Sequence, residues 1–197
     1  MEYSAASVSF QLWFIEMKET LKLVKEKDWD EAKQAIISDN IYQQKSKERI
    51  TREYCCIKRR IEALPDDIAD YMLQSDTSTS KQIALVSYMM TDRMLFEIIY
   101  ELYREHIRYA DETLTLIQID NLFEEKARQN DAVAAWTDAT KKKLRQNYLR
   151  AMADAGIVKK ESNDSRIIVK PYIEDELRNL LIKNRLEKYL YALTGER

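Results

Sequence analysis

The chain is poor in the residues that interrupt regular structure or hold cofactors: two glycines, two prolines, two cysteines and one histidine among 197 residues. So little glycine and proline excludes turn-rich β architectures and leaves helices joined by short connections. Two isolated glycines cannot build a G-x-x-x-x-G-K loop or a G-x-G-x-x-G turn, so the phosphate-cradling motifs of nucleotide enzymes are missing. Structural zinc sites need four ligands, drawn mostly from Cys and His, and Cys55, Cys56 and His106 fall short of that. The adjacent cysteines face different directions on a helix and cannot staple distant segments. His106 has no nucleophile placed beside it by spacing and reads as a surface side chain. The carboxylate pairs Asp66/Asp67 and Glu124/Glu125 read as helix-start charges or solvated faces. Neither catalysis, nor a metal, nor a cofactor is expected.

Long apolar runs are lacking too. The stretch 83–91 is far below the roughly 20 residues that span a bilayer, and no basic, apolar, small-residue leader opens the sequence. A cytoplasmic protein with no membrane partner is the expectation.

What is present is helix-forming sequence with segregated charge. Apolar residues make up 45% of the chain and charged ones 34%, with a net charge of −2. That total argues against a polyanion partner, but the distribution reverses the argument. From Thr137 to Lys170 nine bases face four acids, and from Gln43 to Leu64 seven face three. Binding follows local potential rather than total charge.

Helical periodicity organises the first half. Phe10, Trp13, Phe14, Met17, Leu21 and Val24 form one apolar stripe. Trp29, Ala32, Ile36 and Ile37 mark a short second helix, followed by a polar turn at 38–40. Ser46 then caps a longer helix whose apolar row is Ile50, Tyr54, Ile57, Ile61 and Leu64, ending at Pro65. Lys45, Arg49, Arg52, Arg59 and Arg60 gather away from that row, giving a helix-turn-helix outline over 29–64. Asp66 and Asp67 start another helix, and QSDTSTS at 74–80 reads as a loop. Helices follow over 81–91 and 93–109. Tyr54, Tyr100, Tyr103 and Tyr148 sit at core spacing, which favours burial over base stacking.

The most informative stretch is 137–170. Helices over 116–128 and 132–136 precede it. Thr137 or Thr140 caps a basic helix whose buried face is Leu144, Tyr148, Ala151 and Ala155, and Gly156 stops it. Residues 157–160 and 167–169 are short strands separated by turn-forming residues 162–165, and Pro171 closes the unit. A single helix over 173–193 ends the chain. Three helices followed by a hairpin form the outline of a winged helix-turn-helix.

The expected fold is therefore mainly α, with a helical domain at 1–110 containing the helix-turn-helix-like segment and a winged-helix domain at 111–197 carrying a small β-hairpin wing. The expected contact residues are Thr140, Lys141, Lys142, Lys143, Arg145 and Arg150 on the helix and Lys159, Lys160, Arg166 and Lys170 on the wing. Lys45, Arg49, Arg52, Arg59 and Arg60 form a second basic stripe. Few of these side chains suit bidentate reading of bases, so phosphate contact with weak sequence preference is expected.

Several blocks resemble one family. FQLWF at 10–14, Asp28-Trp29, the run from Ile41 to Leu64, TDRMLFE at 91–97 and the run from Asn121 to Val158 are similar, in order and spacing, to BrxA proteins of bacterial BREX phage-defence systems. The resemblance covers most of the chain and implies a helical, non-enzymatic protein that binds double-stranded DNA and works beside the other BREX proteins. Members have been labelled inner-membrane proteins, which this hydropathy does not support. A likeness suggested between the family and RNA-binding bundles keeps RNA open as a ligand. A protein-interaction adaptor is the reading from another class.

Overall fold

Short polar side chains set most helix starts in the computed structural model, which describes residues 1–196. A 3-10 turn (Ala5–Ser9) leads into α1 (Phe14–Glu26). Asp28 caps α2 (Trp29–Ser38) by accepting from the amides of Asp30 and Glu31, and Ser46 caps α3 (Lys47–Ala63) by accepting from Arg49. Pro65 separates α3 from α4 (Asp66–Gln74). The expected loop over 74–80 is not one: Asp76 accepts from the Thr79 amide at 2.7 Å and starts α5 (Thr77–Thr91) three residues into it. Thr79 and Ser80 are buried, and Ser80 answers with hydrogen bonds to the Met72 carbonyl and to Ser75. The polar run is a capped helix start packed on its neighbour.

Helix α5 is central. Its residues Gln82 to Met89 are all buried, enclosed by α1, α3, α4, α6 (Arg93–Glu97) and α10 (Asp138–Asp154). This accounts for the apolar stretch 83–91, a core helix hydrophobic on every side. No helix among the described residues is long and apolar enough to cross a membrane. Helix α6 continues through a π-helical segment (Ile98–Tyr103) into α7 (Arg104–Tyr109), and Ala110, at φ +54°, ends it.

The remainder comprises β1 (Thr113–Thr115), α8 (Leu116–Gln129), α9 (Asp131–Ala134), α10 (Asp138–Asp154), β2 (Val158–Lys160), β3 (Ser165–Ile168), α11 (Asp175–Lys183) and α12 (Glu187–Thr194). Strand β1 lay outside the sequence expectation. It pairs antiparallel with β3, Leu114 opposite Arg166, while β2 pairs with the other edge of β3, Lys160 opposite the same Arg166. Thr115 and Gln118 form a reciprocal capping box directly after β1.

Two further expectations are corrected. The terminal helix is broken: Arg185 takes φ +59°, the Leu186 amide returns to the Leu181 carbonyl, and the Asn184 amide group bonds Asp67. The apolar periodicity resumes after the break, which is why it reads as one helix. His106 is buried rather than exposed, its Nε2 3.1 Å from the Gln118 amide nitrogen and its Nδ1 3.0 Å from Asp111, so it braces the turn that delivers β1. One hydrophobic cluster runs from Phe10 to Leu193.

Candidate nucleic-acid interface

Helix α10 is delimited as its sequence dictates. Thr137 is the cap, its hydroxyl accepting from the Thr140 amide at 3.2 Å, and Gly156 adopts φ +79° while the Ile157 amide returns to the Met152 carbonyl. Leu144, Tyr148, Ala151, Met152 and Ala155 are buried, which turns Lys142, Lys143, Gln146 and Arg150 outward. The chain then forms β2 and β3, and the Val169 amide bonds the Ile157 carbonyl to close the hairpin onto the helix end.

Pleating divides the hairpin bases between two faces. Val158, Lys160, Arg166, Ile168 and Leu114 share the face toward α10, whereas Lys159, Ile167 and Thr113 share the outer one. Lys160 and Arg166 therefore meet Arg145 and Arg150 across a cleft of about 300 Å³, also lined by Leu116, Gln146, Leu149, Ala153 and Asn163. No carboxylate lines it among the described residues. Lys159 lies outside the cleft, and Lys170 lines a separate recess with Arg108 and Glu196.

Nearer the start of α10, along the row that continues into the cleft through Arg145, acids of α8 answer its bases. Lys141 reaches Glu124 at 2.7 Å and Arg145 pairs with Asp120. The Lys141 ammonium, through its hydrogen bond and charge, holds the Glu124 carboxyl below the usual carboxylate range. Thr140 shares a hydroxyl contact with the capping Thr137. By contrast Lys142, Lys143, Arg150, Lys159, Lys160, Arg166 and Lys170 have no ion-pair partner among the described residues.

The N-terminal stripe is divided as well. Lys45, Arg49, Arg52 and Arg59 are exposed, with Arg49 paired to Glu53 at 3.1 Å. Arg60 is a correction, because its side chain is fully buried. Its guanidinium stacks 3.6 Å from the ring centre of Tyr88 and donates to the carbonyls of Gln11 and Leu12. Arg60 sits at the inner edge of the helical wheel, and α5 and the 11–12 backbone supply the partners that α3 cannot show by itself.

Gln146 and Asn163 line the cleft although charge counting passes over them; both are neutral amides in otherwise basic segments. The alternation of β2 carries the signal that separates Lys160 from Lys159. The acids Asp120 and Glu124, four apart on α8, mark the face turned to α10, but only packing reveals which bases they neutralise.

Comparison with known proteins supplies the context. A crystal structure of an uncharacterized protein from Magnetospirillum magneticum shares the fold, with a TM-score of 0.83 at 16% identity over 100% of both chains. A BREX protein BrxA of Bacillus cereus is 32% identical over 167 residues, which cover 84% of this chain and 83% of that protein. The BrxA family profile matches residues 1–185, and the chain thus belongs to the BrxA family.

Proposed function

We propose that the protein is a non-catalytic accessory component of a BREX phage-defence system that binds double-stranded DNA through α10 and the hairpin that follows it. In this reading 111–197 acts as a winged helix, with α10 as the recognition helix and β2–β3 as the wing. One observation carries it: α10 and the hairpin together present Lys142, Lys143, Arg150, Lys160 and Arg166 without an ion-pair partner among the described residues, in a chain whose net charge is −2. Surface bases that merely solvate a fold are commonly interspersed with acids, as Lys141 and Arg145 are here. Concentrated unpaired bases favour a polyanion. The exposed part of the N-terminal stripe, Lys45, Arg49, Arg52 and Arg59, is a second contact surface.

The test is duplex DNA affinity as a function of salt for the wild type and Lys142→Glu/Lys143→Glu. Both side chains are exposed, so the fold should survive. The variant is expected to bind at least about tenfold more weakly near 0.1 M salt and to show a shallower salt slope. Equal affinity with an intact fold would overturn the proposal. Competition with duplex and single-stranded RNA identifies the preferred nucleic acid.

A further inference from the structure

We infer that the cleft between α10 and the hairpin is a discrete site for a phosphate dianion, of the kind carried by a strand's terminal phosphomonoester. The inference rests on the nucleic-acid reading for its biological ligand, but the site itself stands on geometry. Lys160 and Arg166 are direct cross-strand partners on one face, an arrangement in which like charges repel. Neither has an acid partner among the described residues, and Arg150 on the facing helix has none either. Arg145 closes the same cleft. Asp120 holds one of its terminal nitrogens, but its Nε is buried and without a partner. Three cations without an acid partner, and a fourth paired with Asp120, thus converge on about 300 Å³ lined by no carboxylate among the described residues.

Such convergence costs folding free energy through self-repulsion and is relieved by a multiply charged anion. A phosphomonoester carries a charge of about −1.5 to −2 near neutral pH and three acceptor oxygens, against one negative charge on an internal phosphodiester. The planar Arg150 fork matches those oxygens, Arg166 keeps its charge and its other donors while one terminal nitrogen donates to the Ser162 and Ser165 carbonyls, and Asn163 adds an uncharged amide. Leu116 and Leu149 line the same cleft and offer apolar surface to the sugar next to the phosphate. Lys142 lines a recess of about 260 Å³, but Asp120, Glu124 and Asp138 line it too and oppose a dianion, so Lys142 and the exposed Lys143 suit the internal phosphates of a duplex.

Two measurements test this. In the first, inorganic phosphate is titrated into isotopically labelled protein at constant ionic strength and followed by amide chemical shifts. Saturable shifts centred on Lys160, Asn163 and Arg166 are expected, absent in Lys160→Gln/Arg166→Gln and retained in Lys159→Gln, whose side chain lies on the outer face. In the second, duplexes of one sequence with 5′-phosphate or 5′-hydroxyl ends are compared. The phosphorylated duplex is expected to bind about three- to tenfold more tightly, and the double variant to lose the difference. Saturable phosphate binding with equal duplex affinities keeps the site and assigns it to free phosphate. Saturable phosphate binding with no duplex binding keeps the site and sinks the nucleic-acid reading. Non-saturating shifts spread over all the surface lysines overturn the site, and duplex binding in that case leaves the nucleic-acid reading intact.

Discussion

The Tyr148 hydroxyl lies 3.0 and 3.1 Å from the two carboxylate oxygens of Asp92, deep inside the protein. Asp92 also caps α6 through the Leu95 amide and receives the Ser7 hydroxyl, while Asn147 donates to the Ser7 carbonyl. The inner face of α10 is thereby pinned to the first helical half through one buried carboxyl. The basic outer face inherits its position from that anchor.

Removing the phenol should loosen the anchor without touching the surface. Tyr148→Phe is expected to lower stability to urea by about 1.5–3 kcal/mol, the cost of a hydrogen bond to a charged group left partly unsatisfied. Burial raises the Asp92 carboxyl above its ordinary range, outweighing the hydrogen bonds from Leu95, Ser7 and Tyr148 that lower it. The folded state therefore holds that proton more tightly than the unfolded chain does. The associated stability is present at acidic pH and lost as pH rises through the raised value. Asp92→Asn keeps an acceptor and removes the titration, so the wild type should lose stability relative to the variant as pH rises from the ordinary aspartate range, about 4, through the raised value. A gap between the two urea midpoints that does not change with pH would refute the assignment.

Arg60 separates structure from binding within one helix. Arg60→Ala abandons the carbonyls of Gln11 and Leu12 and empties the space over Tyr88. A loss of about 3–5 kcal/mol is expected, from the cavity left by a large buried side chain and from two carbonyls left without their donor. Arg59→Ala, at an exposed neighbour, should change stability by less than about 0.5 kcal/mol. Under the proposed function Arg59→Ala, and not a folded Arg60 variant, lowers the salt slope of duplex binding. Thermal unfolding and anisotropy on the same samples decide both points.

The acids of α8 act as internal competitors for the bases of α10. Asp120→Asn and Glu124→Gln should each release one base, Arg145 or Lys141, at a cost of about 1 kcal/mol, because each acid is about half exposed and screened by solvent although its base is largely buried. The double variant is expected to bind duplex DNA more tightly at low salt and to steepen the salt slope by up to about 2. Unchanged affinity would show that this flank stays clear of the nucleic acid.

How much of this was legible beforehand follows from the range of each interaction. The cap at Ser46 and the stop at Gly156 depend on residues within one turn and are legible in the sequence, whereas the cap of α10 is legible only as Thr137 or Thr140 until the backbone selects Thr137. The start of α5 at Asp76 was equally local, but a run of serines and threonines imitates a loop until their hydroxyls find partners on α4. Arg60 and β1 depend on segments tens of residues away, and His106 on Gln118 in the next helix. A helical wheel places Arg60 beside the apolar row without revealing that Tyr88 waits there. A three-residue strand such as β1 carries too few residues to show alternation, and exists only because β3 offers it an edge. For the candidate site, the choice of segment came from charge, whereas the division of its bases between cleft, outer face and ion pair came from pleat and packing.

The central place of β3 has a thermodynamic consequence for association. A two-stranded ribbon projecting from a helix is marginally ordered, and a partner that binds it must first immobilise it. Here β1, fixed in turn by the capping box of α8 and by the turn that His106 braces, holds β3 from behind. Arg166 and Lys160 are therefore presented by a stiff three-stranded surface, and complex formation should proceed with little loss of backbone entropy and little dependence on slow rearrangement of the hairpin.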